Sequence, residues 1–312
     1  QISGKYLPAK YFQVNQARRR IQSLITGPTD QQIIYVGTDI GIYRSQDGGK
    51  TWLQTNQGLF DQDIRSLVIN PKNSNIVYAG TGHGIFKSED AGNNWSDWFD
   101  ESAGLTHSGI YDLILHPENP EILFAATDGG VFQSLDAGES WESVFTKHPI
   151  QLINFSAPNP DILYASGKSG IFRSKNRGQD WNRVWDTALP PVSNLISLNT
   201  DPEFLYSGTQ TGLYKSFNGG RNWVTDPTFK KTPIDAIFIT PSNQAKIYVG
   251  SGANFYSSKS GGDSWENISS FTQKINAGSG TSIDIKINRI ISLNKKSLYV
   301  GTSSGLYLSE DE

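Results

Sequence analysis

The sequence predicts an all-β chain folded as a single seven-bladed β-propeller with four-stranded blades. Three observations predict it. An octapeptide of the form Ser-x-Asp-x-Gly-x-x-Trp returns along the chain at intervals of 40 to 51 residues. Three strand-like runs precede each copy. The composition, with 31 Gly and 12% aromatic residues, favours strands and tight turns over helices. A period of this length corresponds to one four-stranded blade.

The octapeptide reads SQDGGKTW at residues 45–52, SEDAGNNW at 88–95, SLDAGESW at 134–141, SKNRGQDW at 174–181, SFNGGRNW at 216–223 and SKSGGDSW at 258–265. A further copy opens at Ser309 as SEDE. Each follows a short run such as GIFKS (84–88), which is strand three of its repeat. Before that comes strand two, as in NIVYAGT (75–81) or EFLYSGT (203–209). Strand one is an alternating run such as IRSLVINP (64–71). The Trp opens strand four. Short β-rich runs bounded by Gly, Pro and Asn are the expected strand signal.

Seven sets of strands one to three begin near Ile21, Ile64, Ile110, Ile150, Val192, Ile234 and Ile287, but only six fourth strands follow an octapeptide. The spare β-like segment KYLPAKYF (5–12) is expected to pair onto the last blade and close the ring, leaving no raw edge. The competing reading is an unstructured tail. On the first reading residues 1–312 form one propeller.

The octapeptide suits a hairpin turn better than a reaction centre. Its third position is Asp47, Asp90 and Asp136 in three copies, Asn176 and Asn218 in two, and Ser260 in one. Asn keeps an accepting oxygen and loses the charge. A catalytic carboxylate or calcium ligand does not survive that exchange; a hydrogen bond to the turn backbone does. The Gly supplies a φ that a side chain resists. Trp52, Trp95, Trp141, Trp181, Trp223 and Trp265 are placed to fill the wedges between blades, each N–H needing one acceptor.

This motif resembles the Asp-box, or bacterial neuraminidase repeat. It is carried by sialidases, xyloglucanases, sortilin-type receptors and propeller assembly factors of photosystem II. The resemblance covers essentially the whole chain and implies the fold; a fold of this kind hosts many functions. A sialidase signature, Arg-Ile-Pro or Arg-Leu-Pro, is missing, and ARRRIQ (17–22) is not that motif. Xyloglucanases usually pair two propellers across a cleft, whereas this chain has length for one. Sortilin-type receptors carry more blades and a Cys-rich module. The assembly-factor resemblance implies a basic docking surface.

In a propeller, strand one lines the central channel, and the four-to-one and two-to-three connections share one face. Gln22, Arg65, Tyr111, Gln151, Ser193, Asp235 and Asn288 fall at equivalent channel positions. Ser23, Ser66, Asp112, Leu152, Asn194, Ala236 and Arg289 form the next ring. One sector stands apart: Arg289 of the last blade, Arg18, Arg19 and Arg20 entering the first, and Arg65 of the second. Guanidinium groups pair bidentately with carboxylates, so an acidic segment of another protein is the expected partner. The competing reading is a set of solvated strand ends, partly neutralised by Asp61 and Asp63.

Asp39, His83 and Asp128, on the two-to-three turns of blades one to three, form an alternative loop-face cluster suited to acid–base work or a cation. Asp beside Gly is also ordinary turn chemistry. Two connections outgrow their siblings, 99–109 and 271–286. Trp98 and Trp185 are the Trp outside the motif; filling between blades is their expected role, a contact surface the alternative.

Net charge is −3, which offers nothing for nucleic acid. No apolar run is long enough to span a bilayer. Without Cys there is neither a disulfide framework nor a thiolate metal site. No cofactor or metal is expected. A chain starting at Gln1 without any Met fits an exported protein whose signal peptide has been removed. The expected function is a non-catalytic, protein-binding propeller, an assembly factor or accessory subunit of a larger exported or membrane-associated complex. The alternative is a carbohydrate-active protein.

Overall fold

The apolar alternation within each repeat resolves into four antiparallel strands, seen here in a computed structural model. It describes the chain apart from residues 1–9, 13–19, 98–102, 158, 186–189, 199–200, 241–245, 271, 275–281, 295–296 and 311–312. Blade one is Ile21–Thr26, Ile34–Thr38, Gly41–Ser45 and Leu53–Gln54, each strand paired to the next. Blade two follows with Ser66–Ile69, Val77–Thr81, Gly84–Ser88 and Ser96–Asp97. The innermost strands of blades three to seven are Ile110–Leu115, Leu152–Ser156, Val192–Ser197, Ala236–Ile239 and Ile287–Asn294.

These inner strands touch in an unbroken cycle, the seventh against the first, so the array is a closed ring and the fold is a seven-bladed propeller. The missing fourth strand of blade seven is Lys10–Phe12, antiparallel to Gly305–Glu310 with Tyr11 opposite Tyr307. The expected closure by the N-terminal segment is therefore observed for residues 10–12; residues 5–9 lie outside the described residues. The insertion before blade seven contains a small hairpin, Thr272–Lys274 against Ser282–Asp284.

The core lies between blades. Tyr35 and Ile42 of blade one pack with Ile64, Leu67, Val77, Phe86 and Trp95 of blade two, and each of the other six junctions repeats the plan. Each motif Trp sits in the junction between its own blade and the preceding one. Close approach explains a recurrent Gly in strand two. A Cβ on Gly37 would lie 2.7 Å from Cγ2 of Ile64, and one on Gly301 the same distance from Cγ2 of Ile21 across the closing junction.

The octapeptide is a turn in all six copies. The third-position oxygen accepts the N–H of the seventh residue: Thr51 to Asp47 at 2.9 Å, Asp180 to Asn176 at 2.9 Å, Asn222 to Asn218 at 2.9 Å, and Ser264 to the hydroxyl of Ser260 at 3.0 Å. Asp90 and Asp136 do the same. Hydrogen bonds from the Thr51 hydroxyl and backbone hold Asp47 at a pKa of about 2. The opening Ser, which sequence reasoning left without a role, accepts the N–H of the fifth-position Gly, at 2.8 Å from Gly49 to Ser45. That Gly has φ +82°, as expected. Every motif indole finds an acceptor. Four bond the Gly carbonyl of their own turn; Trp95 reaches Thr55 O at 2.8 Å, and Trp265 reaches Asp226 Oδ2 at 2.9 Å.

A second fastening was not foreseen from sequence. In four blades the strand-two Tyr reaches the octapeptide turn of the next blade; in blade four Tyr164 donates instead to Pro202 O at 3.0 Å. Tyr35 donates to Ala91 O at 2.9 Å, Tyr78 to Ala137 O at 2.9 Å and Tyr206 to Gly261 O at 2.5 Å. Tyr299 donates to Gly48 O and so bolts blade seven to blade one. Blade three has Phe124 at this position, and Gln133 Nε2 reaches Arg177 O instead, at 3.4 Å. Burial pushes the Tyr78 hydroxyl up to about 12, keeping it a donor. Tyr78→Phe is expected to cost about 1 kcal/mol, the typical net worth of one such bond, in urea unfolding. A change well below half of that would show that the bolt carries no stability.

Candidate functional site

Four of the seven inner strands open with a β-bulge, at Ile21/Ser23, Ile110/Asp112, Val192/Asn194 and Ile287/Arg289. A bulge leaves one residue outside the ladder and re-aims its side chain. The residues so placed are Gln22, Tyr111, Ser193 and Asn288. In blades two, four and six the matching residue bonds just before the strand: Arg65 N to Gly80 O, Gln151 N to Ser166 O and Asp235 N to Gly250 O. All seven residues expected at the channel line one cavity of about 290 Å³, together with Arg20, Lys286 and Arg289.

The next ring is mostly fastening. Ser23 Oγ accepts the N–H of Leu67 at 3.0 Å, and Ser66 Oγ that of Leu113 at 3.1 Å. Asp112 Oδ2 accepts Ile153 N at 3.1 Å, and Asn194 Nδ2 donates to Asp235 O at 2.6 Å. Asn288 of the first ring closes the circle by donating to Ile21 O at 3.2 Å. Each bond crosses a blade junction, so polar groups facing the channel also hold the inner wall together.

Of the five arginines expected to gather, the structure brings three into this cavity. Arg18 and Arg19 lie outside the described residues. Arg20 is exposed at the mouth. Arg65 donates from Nε to Asp63 Oδ2 at 2.9 Å and lies over the Tyr111 ring, 5.5 Å from its centroid. Asp63 also accepts from Gln22 Nε2 at 2.7 Å. Arg289 is half-buried in the channel wall, and its Nη1 donates to Asn288 O at 3.0 Å. That enclosure lowers its pKa, opposed by the charge of Asp112. Enclosure likewise raises Asp112, opposed by the hydrogen bond from Ile153 and by Arg289.

Neutralisation by Asp63 took place as the competing reading held. Asp61 is used differently: its Oδ2 meets His83 Nδ1 at 2.9 Å, and its Oδ1 accepts Asp63 N at 3.0 Å. Lys286 pairs with Asp235 at 2.7 Å. Among the described residues that line the cavity, Arg20, Arg65, Lys286 and Arg289 outnumber Asp235, while Asp61, Asp63 and Asp112 stand beside it. Lys286, on the long insertion, escaped sequence reasoning because nothing local marks a residue that arrives from a connection.

Asp39, His83 and Asp128 are exposed turn residues. Among the described residues no hydrogen bond or ion pair joins any two of the three, and no group of three His, Cys, Asp or Glu is arranged to hold a metal ion. Trp185 is buried between blades four and five, edge-on to Trp223 at 4.7 Å between centroids, so it fills a junction as expected. Trp98 lies outside the described residues. Among those residues, no helix is long and apolar enough to cross a membrane.

The chain matches no family model and no curated protein. Its fold is shared with solved structures of low identity. YCF48 bound to D1 peptide superposes with a TM-score of 0.74 at 16% identity over 98% of both chains. YCF48 from Cyanidioschyzon merolae gives 0.74 at 12% identity over 97% of this chain and 98% of that one. A GH74 enzyme of Niastella koreensis gives 0.74 at 20% identity over 97% of this chain and 54% of that one. The chain therefore spans about half the length of that enzyme, and at these identities the likeness is one of fold alone.

Proposed function

We propose that this chain is a non-catalytic docking propeller whose arginine-bearing channel mouth receives an acidic segment of a partner protein. The role is that of an assembly factor or accessory subunit of a larger exported or membrane-associated complex. The observation that carries the proposal is the convergence of Arg20, Arg65 and Arg289 on one cavity, where they and Lys286 outnumber Asp235. A neighbour of the same fold and length, YCF48, is bound to a D1 peptide, and the resemblance to propeller assembly factors points the same way. The carboxylates at the mouth are occupied: Asp112 accepts Ser66 Oγ, Leu113 N and Ile153 N, and Asp235 accepts Gly252 N besides pairing with Lys286.

The test is fluorescence anisotropy with a labelled Asp/Glu-rich decapeptide and a Lys/Arg-rich control. The acidic peptide is expected to bind, to weaken as salt rises, and to lose affinity about tenfold or more in Arg20→Glu/Arg65→Glu. Equal affinity in the variant, or equal binding of both peptides, opposes the proposal. Hydrolysis of a xyloglucan oligosaccharide by the same preparation would favour the carbohydrate-active alternative.

A further inference from the structure

One arginine of the channel mouth already holds a carboxylate of its own chain. Asp63 Oδ2 accepts from Arg65 Nε at 2.9 Å, and Asp63 Oδ1 accepts from Gln22 Nε2 at 2.7 Å. Both donors line the channel-mouth cavity. The carboxylate arrives on a connection between blades, from the rim of the cavity, as a carboxylate of another protein would. The side chains of Arg65 and Asp63 keep 30% and 41% of their exposure, and an ion pair this open to water is weakly held.

The repeat shows that the fold itself does not ask for this carboxylate. The position immediately before Ile64 and its counterparts holds Gly109, Pro149, Pro191 and Pro233 in blades three to six. Charge stands there in three adjacent blades: Lys286 in blade seven, Arg20 in blade one and Asp63 in blade two. Asp63 is the one carboxylate of the seven, and it belongs to the blade that carries Arg65. Asp61, two residues earlier, differs in its use. Its Oδ2 meets His83 and its Oδ1 holds Asp63 N, so it is tied into the turn, whereas both bonds of the Asp63 carboxylate go to cavity residues. Tyr111 supports Arg65 from another side, its ring centroid 5.5 Å from the guanidinium, so Arg65 keeps that support when Asp63 leaves.

We propose that Asp63 is an internal stand-in for the partner's carboxylate: the acidic segment displaces it from Arg65 on docking, and it retakes Arg65 on release. The inference rests on the docking role proposed above and adds how that docking is regulated. Exchanging one ion pair for another leaves no bare guanidinium in either state. The partner gains only the difference between two similar contacts, so affinity stays moderate and dissociation fast. That suits a factor that docks for a time and then leaves its complex.

The experiment titrates the labelled Asp/Glu-rich decapeptide, at fixed ionic strength, against the whole chain and against Asp63→Asn, Asp61→Asn, Arg65→Met and Asp63→Asn/Arg65→Met. Circular dichroism checks that the blades persist in each. Asp63→Asn is expected to bind about three- to fivefold more tightly than the parent, with the gain in a slower dissociation. Asp61→Asn removes the same charge from the same connection and keeps an acceptor for Asp63 N; it is expected to stay within about 1.5-fold of the parent, as a screened background charge does. With Arg65→Met in place, Asp63→Asn is expected to change nothing. Unchanged or weaker binding by Asp63→Asn would overturn the inference and make Asp63 a support for Arg65. An equal gain from Asp61→Asn, or a gain that survives Arg65→Met, would overturn it too, and each of these results leaves the docking role standing. Failure of the parent and every variant to bind the peptide would remove the docking role and this inference with it.

Discussion

Asp226→Ala is expected to lower the stability of the chain by about 3–5 kcal/mol, the range for leaving one partner of a buried ion pair alone. Asp226 ends the outer strand of blade five, Val224–Thr225, and is 3% exposed. Its backbone N–H bonds Leu213 O at 2.8 Å. Oδ1 accepts Thr228 N at 3.0 Å and so caps the short 3₁₀ turn Pro227–Phe229. Oδ2 takes the Lys215 ammonium at 3.0 Å and the Trp265 indole at 2.9 Å. One carboxylate therefore joins the turn, strand three of its own blade and the wedge Trp of blade six. Removing it strands a buried cation and two N–H donors. Asp226→Asn keeps accepting capacity for the turn and is expected to cost less than Ala. Urea unfolding of the three proteins checks the order; an Ala variant within 1 kcal/mol of the parent would mean that Lys215 and Trp265 find other partners at no cost.

Arg289→Met is expected to lower stability at neutral pH by about 1–3 kcal/mol, the range for a buried group left without its compensation, and to steepen the pH dependence that the raised pKa of Asp112 already gives the parent. Arg289 opposes the rise that enclosure imposes on Asp112. Without it Asp112 has only its three hydrogen-bond donors, and its folded-state pKa rises further above the unfolded value. The folded state then binds more protons than the unfolded one across that interval, so stability falls as pH rises through it. The deficit of the variant should be smallest at about pH 4, near the unfolded carboxylate pKa, and grow towards neutrality. A deficit constant over that range would show that Arg289 acts by packing and not by charge. The same reasoning makes reversal of Arg289 a poor probe of partner capture, since Arg289→Glu sets two carboxylates together inside the channel wall. Arg20 and Arg65 test docking without that confusion.

Much of this was legible in the sequence because a propeller is written as a tandem pattern. Each blade repeats the same four short strands, and a strand's partners are its immediate neighbours in the chain. The exchange of Asp47 for Asn176 and Ser260 across copies already separated turn chemistry from catalysis, and the hydrogen bonds bear this out. The seven channel positions could be aligned copy by copy, and they line one cavity. Contacts between blades were harder to read. Tyr78 is merely a strand aromatic until Ala137 O, 59 residues away, is seen beside its hydroxyl. Lys286 and Asp235 meet across a junction, as do Trp265 and Asp226. Asp61 looked like a neutraliser of Arg65 and serves His83 instead, because the turn of blade two brings that imidazole nearer its carboxylate.

The sequence by itself determined the blade, the number of blades, the closing strand and the ring of channel residues. These depend on local alternation and turn chemistry, which act over a few residues and repeat. The tertiary structure alone decided which charges neutralise each other at the mouth and which blade fastens to which turn. Those outcomes depend on distances between side chains from neighbouring blades, set by the twist and closure of the whole ring.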